Sequence, residues 1–414
     1  MASGVGIVYK FLQLVDEYLG IHACIKFMDL VALGEISDMM WMQTKENRFI
    51  CDYGLSHINN EFFKTVVKKQ CYSMLGIYEQ DWTDNYYTDG SITQVKVAFY
   101  VTPLINALIR VGSQHEKEIM FESFIHGKNM IASTKRGASG TQETIAEQST
   151  RNCVNARSRQ NREKDKAIEL LDIQIMNNCL DENKILILDA DDIDAPTTLT
   201  GLIAMGIAAK YKKPTMLGRM TPGGFMKGSI RGREESELKD FKGLLNESGY
   251  MDFVEGHANA AGFSIKKNNV EKLIQFANNK LSDINFNENF YEADFVVPAN
   301  YSDIYNLVYE IGSFAKYWGQ GNKEPVIIIK DLTVSKSAIK VMGAKGDTMK
   351  IVFNNMTYLF FKAADAIEEF HNTEGDTIKL NIAGRASLNS FRGNVTPQII
   401  VDQYEIKPVS LYDF

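Results

Sequence analysis

The sequence predicts a multidomain α/β protein that begins helical, passes through an α/β layer and ends in a small β-barrel. Three observations predict this. Val5 to Leu19 carries apolar residues at helical spacing, and Phe27 to Leu33 is a short apolar run ending at Gly34, which makes roughly the first 130 residues mostly helical. From about 180 to 275 the rhythm changes: Lys184 to Leu188 reads as a buried strand, Leu199 to Lys210 as a helix and Pro214 to Leu217 as a second strand. Beyond Lys280 the runs Val326–Ile329, Met349–Phe353, Thr357–Phe361, Thr377–Ala383 and Gln398–Val401 are short and separated by turns, the signature of a small barrel. The resulting segments are 1–130, 131–180, 181–285 and 286–414.

Composition agrees with a globular, multidomain chain: 414 residues, 45% hydrophobic and 23% charged. The five cysteines, Cys24, Cys51, Cys71, Cys153 and Cys179, fall in no metal-ligand spacing and are odd in number, so they read as reduced thiols of a cytoplasmic protein. No run approaches eighteen uncharged apolar residues, and the N-terminus has no signal-peptide pattern. A net charge of -7 argues against indiscriminate coating of nucleic acid but leaves room for a local basic groove.

One segment qualifies. Between Lys128 and Lys166 nine basic residues, among them Arg157 and Arg162, stand against four acids, Glu143, Glu147, Glu163 and Asp165. Ala132 to Thr150 is rich in Gly, Ser and Thr without apolar period and reads as a flexible loop. Arg157 to Met176 reads as a long connector helix with one wet, basic face. A solvated helix face is the plainer reading of such a run.

The strongest functional signal lies further on. In Phe253–Phe263 the lone His257 is flanked by Gly256 and Gly262 and followed by Asn259 and small alanines, a loop that lets backbone approach a ligand. Ser229 and Arg231, two apart after Gly228, project from one face of an extended segment and offer a hydroxyl and a forked guanidinium. Together they fit a phosphodiester. These two motifs resemble the DHHA1 domain of the DHH phosphoesterase superfamily, which implies substrate-phosphate binding by Ser229, Arg231, Gly256, His257 and Asn259, with His257 also counted as catalytic. Glu255 departs from the family pattern by standing where a first glycine is usual.

Over the whole length the resemblance sharpens to RecJ-type single-strand-specific exonucleases. Ser3–Lys10 resembles the helix after their catalytic core, Asp29–Asp38 their fifth phosphoesterase motif with Glu46-Asn47-Arg48 following, and Phe99–Ala107 with Arg110 and Gly112 their Pro-Arg-Ile-Asn-Ala-x-x-Arg block. Asn161-Arg162 resembles the start of the connector helix, and Gly319–Pro325 and Asn389–Gln398 resemble the signatures that bracket a C-terminal OB domain. The resemblance implies substrate contacts at Asn106 and Arg110, nucleic-acid contacts at Arg157, Arg162 and Arg392, and stacking by Phe391. Leu104 stands where the family carries an arginine. The segments then become the C-terminal part of a DHH domain, a loop and basic connector helix, a DHHA1 domain and an OB-like domain.

Chemistry in this superfamily uses two divalent cations, Mn2+ or Mg2+, about 4 Å apart, held by hard oxygen and imidazole ligands. The resemblance implies Asp38 as a metal ligand and catalytic residue, and it implies that the remaining motifs precede this chain. No Asp-His-His triplet occurs, and the six histidines are never adjacent. Asp189-Ala-Asp-Asp-Ile-Asp194 imitates a metal motif but lies about 150 residues after Asp38, so it is read as a decoy whose carboxylates cap the helix near Thr197 and Thr198.

The expectation is a RecJ-like exonuclease acting on single-stranded DNA, incomplete or inactive as an isolated chain, either as one product of an interrupted reading frame or with a separate polypeptide supplying the missing motifs. Two alternatives stand beside it: a catalytically dead protein that binds single strands or regulates a nuclease, and a phosphodiesterase for oligoribonucleotides or cyclic dinucleotides. An OB-like tail and a long connector weigh against the last, because a small ligand needs neither.

Overall fold

The structure, a computed structural model, describes residues 3–138, 140–288, 292–343, 346–391 and 394–407. The chain forms two compact units, one built from residues 1–102 with 292–414 and the other from residues 103–291. Among the described residues no helix is long and apolar enough to cross a membrane.

The first unit opens with helices. α1 (Gly4–Leu19) starts where the Ser3 hydroxyl accepts the Gly6 amide and stops at Gly20, whose φ of 65° is left-handed. α2 (Met28–Ser37) ends at Asp38, α3 (Lys45–Ser56) is capped by Thr44 and α4 (Glu61–Lys69) by Asn60. α2 and α3 approach closely because Gly54 has no side chain: a β-carbon there would lie 2.5 Å from the Met28 carbonyl oxygen. Asp29 is 1% exposed and accepts the amides of Leu30, Asn59 and Asn60, so the first acid of the Asp29–Asp38 motif is a structural tether. The short helices α5 (Cys71–Leu75), α6 (Asn85–Thr88) and α7 (Gln94–Lys96) follow, then a π-helical turn over Val97–Val101.

The second unit begins within α8 (Thr102–Val111), followed by α9 (Gln114–His126). The hairpin β1 (Met130–Ala132) and β2 (Gln142–Thr144) leads into α10 (Ile145–Asn177), 33 residues and about 50 Å long. α10 starts twelve residues earlier than the apolar spacing indicates. The reason is a capping box, Thr144 with Glu147, and a first half whose buried positions, Ala146, Ser149, Cys153 and Ala156, are small or polar, so helical period is present without strong hydrophobicity.

Glu143 anchors this start. Its side chain is 2% exposed and accepts both terminal nitrogens of Arg151, with Lys135 at 3.3 Å. Hydrogen bonding from Arg151 is the main reason its pKa falls to about 2. A depressed carboxylate pKa contributes stability above its unfolded range and loses it as pH falls toward 2. Glu143→Gln is therefore expected to ease local opening by about 2 to 3 kcal/mol at neutral pH. Amide exchange at Ile131 and Ile145 should show it, and the difference from the native chain should vanish near pH 2.

A five-stranded sheet follows: β3 (Leu186–Asp189), β4 (Thr215–Met220), β5 (Phe225–Arg231), β6 (Met251–His257) and β7 (Ala260–Lys266), in spatial order β3-β4-β5-β7-β6. β3 and β4 are parallel, joined through α11 (Thr200–Tyr211), and the other pairs are antiparallel. Leu171, Ile175, Leu188, Ile203, Ile207 and Leu217 form one core, with α10 and α11 on that face. Met216, Ile230, Phe263 and Ile265 form the other, with α12 (Phe241–Glu247) and α13 (Val270–Lys280). α11 lies close to α10 through Gly206, where a β-carbon would sit 2.5 Å from Ile168 Cδ1.

The chain then completes the first unit with β8 (Phe295–Pro298), α14 (Ile304–Ser313), β9 (Val326–Ser335), β10 (Ile339–Met342), β11 (Thr348–Phe353), β12 (Met356–Phe361), α15 (Ala364–Asn372), β13 (Thr377–Phe391) and β14 (Asn394–Lys407). The sheet order is β10-β11-β12-β14-β13-β9-β8, with β12 parallel to β14. The expected closed barrel is corrected to an open ladder. The edge strand β10 follows the penultimate strand β9 of the other side after the single turn Lys336–Ala338, and bulges beside Ala383–Gly384 and Leu380–Ile382 curve the sheet. Ile329, Met349, Tyr358, Phe370, Leu380 and Ile399 fill its core.

Candidate nucleic-acid interface

The register of the five-stranded sheet assembles the site. Arg231 on β5 and His257 on β6 both pair with Ala260 of the strand between them, and Ser229 and Glu255 both pair with Gly262. Residues in register share a face, so a hydroxyl, a guanidinium, an imidazole and the Glu255 carboxylate surround a floor of alanine and glycine. His257 and Glu255 are exposed, Ser229 and Arg231 half-buried. Gly256 adopts φ 136°, and a β-carbon there would lie 2.8 Å from the Ala260 carbonyl oxygen; glycine is required for β6 to end as it does.

Three guanidiniums converge on this end of the sheet. Arg231 lies against α11 at Gly201, where a β-carbon would meet Nη2 at 2.3 Å, and its Nη1 donates to the Ile230 carbonyl at 2.7 Å. Burial first, then the charge of Arg110, lowers the Arg231 pKa; burial and then Arg157 lower that of Arg110. Arg157 donates to Gln160 Oε1 at 2.6 Å. Among the described residues none of the three pairs with a carboxylate. Like charges brought together without counter-ions in a partly desolvated corner are costly unless an anion joins them.

The remaining expected residues fall into groups. Asn106 lies one turn before Arg110 on α8, on the same helix side, while Leu104 is 7% exposed and part of the core. Part of the basic run from Lys128 to Lys166 is consumed internally: Lys135, before α10, and Arg151 on Glu143, Arg159 on Glu116, Lys164 on Asp165. Arg157 joins the site, and Arg162 is exposed. The Asn259 amide is engaged within the fold, its Nδ2 donating to the Lys239 carbonyl at 2.9 Å and its Oδ1 lying 3.4 Å from the Phe241 amide. Arg392 lies outside the described residues, and Phe391 is placed by its backbone pairing with Asn394.

Asp189–Asp194 does not gather its carboxylates. Asp191 accepts the Met220 amide at 2.9 Å, and Arg219 donates to the carbonyls of Ala190, Ile193 and Ala195. The helix-capping role expected near Thr197 is corrected: Pro196 precedes that turn and no side chain caps it. Asp38 is exposed at the end of α2, and among the described residues no group of three or more His, Cys, Asp and Glu could hold a metal ion.

Several contributors are invisible to motif reading. Gly201 makes room for Arg231, and Lys242 holds the His257 loop through Nζ on the Gly256 carbonyl and its amide on that of Ala258. The small residues of Thr200–Tyr211 are the available signal for Gly201; Lys242 leaves none.

Residues 294–403 match the RecJ OB domain family. Over 409 residues the chain is 34% identical to proteins named single-strand DNA-specific exonuclease YorK from Bacillus subtilis (strain 168) and Bacillus phage SPbeta, covering 98% of this chain and 68% of each relative. RecJ from Thermus thermophilus, solved with Mn2+, shares the fold at a TM-score of 0.64 and 17% identity over 98% of this chain and 53% of that one; the same protein with Mg2+ gives 0.63 over 56% of its length. The chain thus spans about two thirds of its curated relatives and about half of the RecJ chains. A third of identical residues along nearly the whole chain, the shared fold and the OB match place it in one family: the chain belongs to the RecJ-type single-strand DNA-specific exonucleases.

Proposed function

We propose that this chain grips single-stranded DNA by its phosphates and serves RecJ-type exonucleolysis as the strand-binding part. The observation that carries this is the corner of Arg110, Arg157 and Arg231, three guanidiniums without a carboxylate, next to Ser229 and His257 over a floor of Ala260 and Gly262. A phosphodiester relieves their repulsion, accepts forked hydrogen bonds, and can sit close to backbone where side chains are small.

The C-terminal sheet supports the same reading. Lys340, Lys350, Leu359, Ile400 and Arg385 stand in register across β10, β11, β12, β14 and β13, giving cations on both sides of an apolar strip, with Arg385 also 3.3 Å from Asp402. Cations for the backbone and apolar surface for bases are what unpaired strands require.

Hydrolysis needs more than these residues bring. RecJ of Thermus thermophilus was solved with Mn2+ and with Mg2+, but the described residues do not form such a donor set, and Asp38 stands apart from any cluster. No hydrolytic step is assigned to this chain's own side chains, which favours binding without turnover by the chain alone.

The test is an anisotropy titration of a labelled single-stranded oligonucleotide in EDTA, beside a degradation assay in Mn2+. Binding in preference to a duplex of equal length, with no degradation, is expected. Absence of that preference would overturn the strand-gripping role, and degradation abolished by Asp38→Ala would overturn the donor-set reading.

A further inference from the structure

A cavity of about 420 Å³ opens within the first unit, between α3, the turn that follows α6 and the end of α14. That volume lies in the range of small-molecule sites, and none of the residues assigned above to strand binding lines it. Leu55, Ile92 and Ala315 supply apolar lining, and Asp52 and Asp89 add two carboxylates.

The polar capacity of this cavity is almost all acceptor. The hydroxyls of Ser56, Thr88 and Ser313 donate to the carbonyls of Asp52, Asn85 and Glu310 at 2.7, 3.1 and 2.6 Å, so what they offer a ligand is oxygen lone pairs. Gln94, also in the wall, is 3% exposed. Its Nε2 donates to the Lys316 carbonyl at 3.2 Å, while its Oε1 has no partner among the described residues. Gly319 keeps the space beside that oxygen clear, since a β-carbon there would lie 2.9 Å from it. A buried amide oxygen left unsatisfied is costly, and a donor brought by a ligand removes the cost.

The charges say which donor. Asp89 accepts the Ser91 amide at 2.8 Å and, among the described residues, forms no ion pair. Asp52 has Lys316 at 3.6 Å, and that ammonium also lies 5.0 Å from the centre of the Tyr317 ring. Lys96 spends its Nζ on the Ser91 carbonyl at 2.8 Å. Two carboxylates against the one ammonium of Lys316 leave the lining negative. No group of three or more His, Cys, Asp and Glu among the described residues could hold a metal ion, which favours an organic cation. We propose that this cavity binds an aliphatic diamine or polyamine, its ammonium groups donating to Asp52, Asp89 and Gln94 Oε1 and its methylenes covering Leu55, Ile92 and Ala315. Such a ligand fastens α3 to the turn Ala315–Tyr317.

The test is calorimetric titration of the full chain with putrescine, in the absence of nucleic acid because amines also bind strands directly. Saturable binding at one site per chain is expected, with none for butanediol, the same carbon chain bearing hydroxyls in place of ammoniums. Asp89→Asn keeps an oxygen for the Ser91 amide and should weaken binding about tenfold or more. Lys316→Gln removes the competing cation and should tighten it about threefold, a gain that a misfolded variant could not imitate. Bound putrescine should also slow amide exchange at Phe314 and Tyr317. Absence of saturable binding, equal affinity of the native chain and Asp89→Asn, or loss of binding in Lys316→Gln would each overturn the proposal. Acetyl-lysine amide binding as tightly as putrescine would assign the cavity to a lysine side chain of another protein and overturn it as well.

Discussion

Replacing Arg110 and Arg231 together by methionine is expected to weaken binding of an unstructured oligonucleotide by about 100-fold while leaving the fold as stable as the native protein or more so. Each charge-assisted phosphate contact contributes on the order of 1 to 3 kcal/mol, and two lost contacts should lower the slope of log affinity against log salt by about 0.7 each on single strands. The stability half of the prediction comes from the pKa directions. Both guanidiniums have folded-state pKa values below the ordinary one, through burial first and a neighbouring arginine second. A cation so shifted is less favoured in the fold than in the unfolded chain, so wherever arginine is charged it costs stability. Methionine keeps much of the volume without the charge. The two effects therefore run in opposite directions, which a misfolded variant could not imitate. Unchanged affinity and salt slope would sink the site assignment, and a large fall in stability would show that the arginines are structural.

How much of this is legible in the sequence depends on the length scale of the cause. Ser229 and Arg231 can be placed on one face from strand alternation alone, and the small residues around His257 announce close backbone approach; the register at Ala260 brings these together as alternation requires. The corner of three arginines is not legible as a unit, because Arg110, Arg157 and Arg231 come from α8, α10 and β5, and Arg231 reaches it by lying against Gly201 of α11. Nor can charge counting separate Arg157 from Arg151 and Arg159, whose partners Glu143 and Glu116 lie on other elements. The start of α10 escapes a hydrophobic-period reading because its capping box precedes residues with little hydrophobicity.

Gly228→Ala should be the most damaging single methyl in the second unit. In β5 this glycine pairs with Gly218 of β4, and a β-carbon there would stand 1.9 Å from the Leu217 carbonyl oxygen and 2.5 Å from the Gly218 α-carbon. Both neighbours are backbone within the ladder that runs from Thr215–Arg231 to Met220–Met226, so no rotamer change relieves the clash and the strands must part. A loss of about 4 kcal/mol or more is expected, read as accelerated amide exchange along β4, β5 and β7, together with loss of oligonucleotide binding as Ser229 and Arg231 leave register. Gly262→Ala is the control. Its nearest neighbours would be 3.8 and 4.0 Å away, ordinary contact distances, so the sheet should hold within about 1 kcal/mol. That methyl would still stand on the floor between Ser229 and Glu255 and obstruct a phosphate, so binding should weaken without loss of fold. If Gly228→Ala melts with the native protein, the close approach of β4 and β5 is not what aligns the site. If Gly262→Ala binds as tightly as the native chain, the phosphate does not rest on that floor.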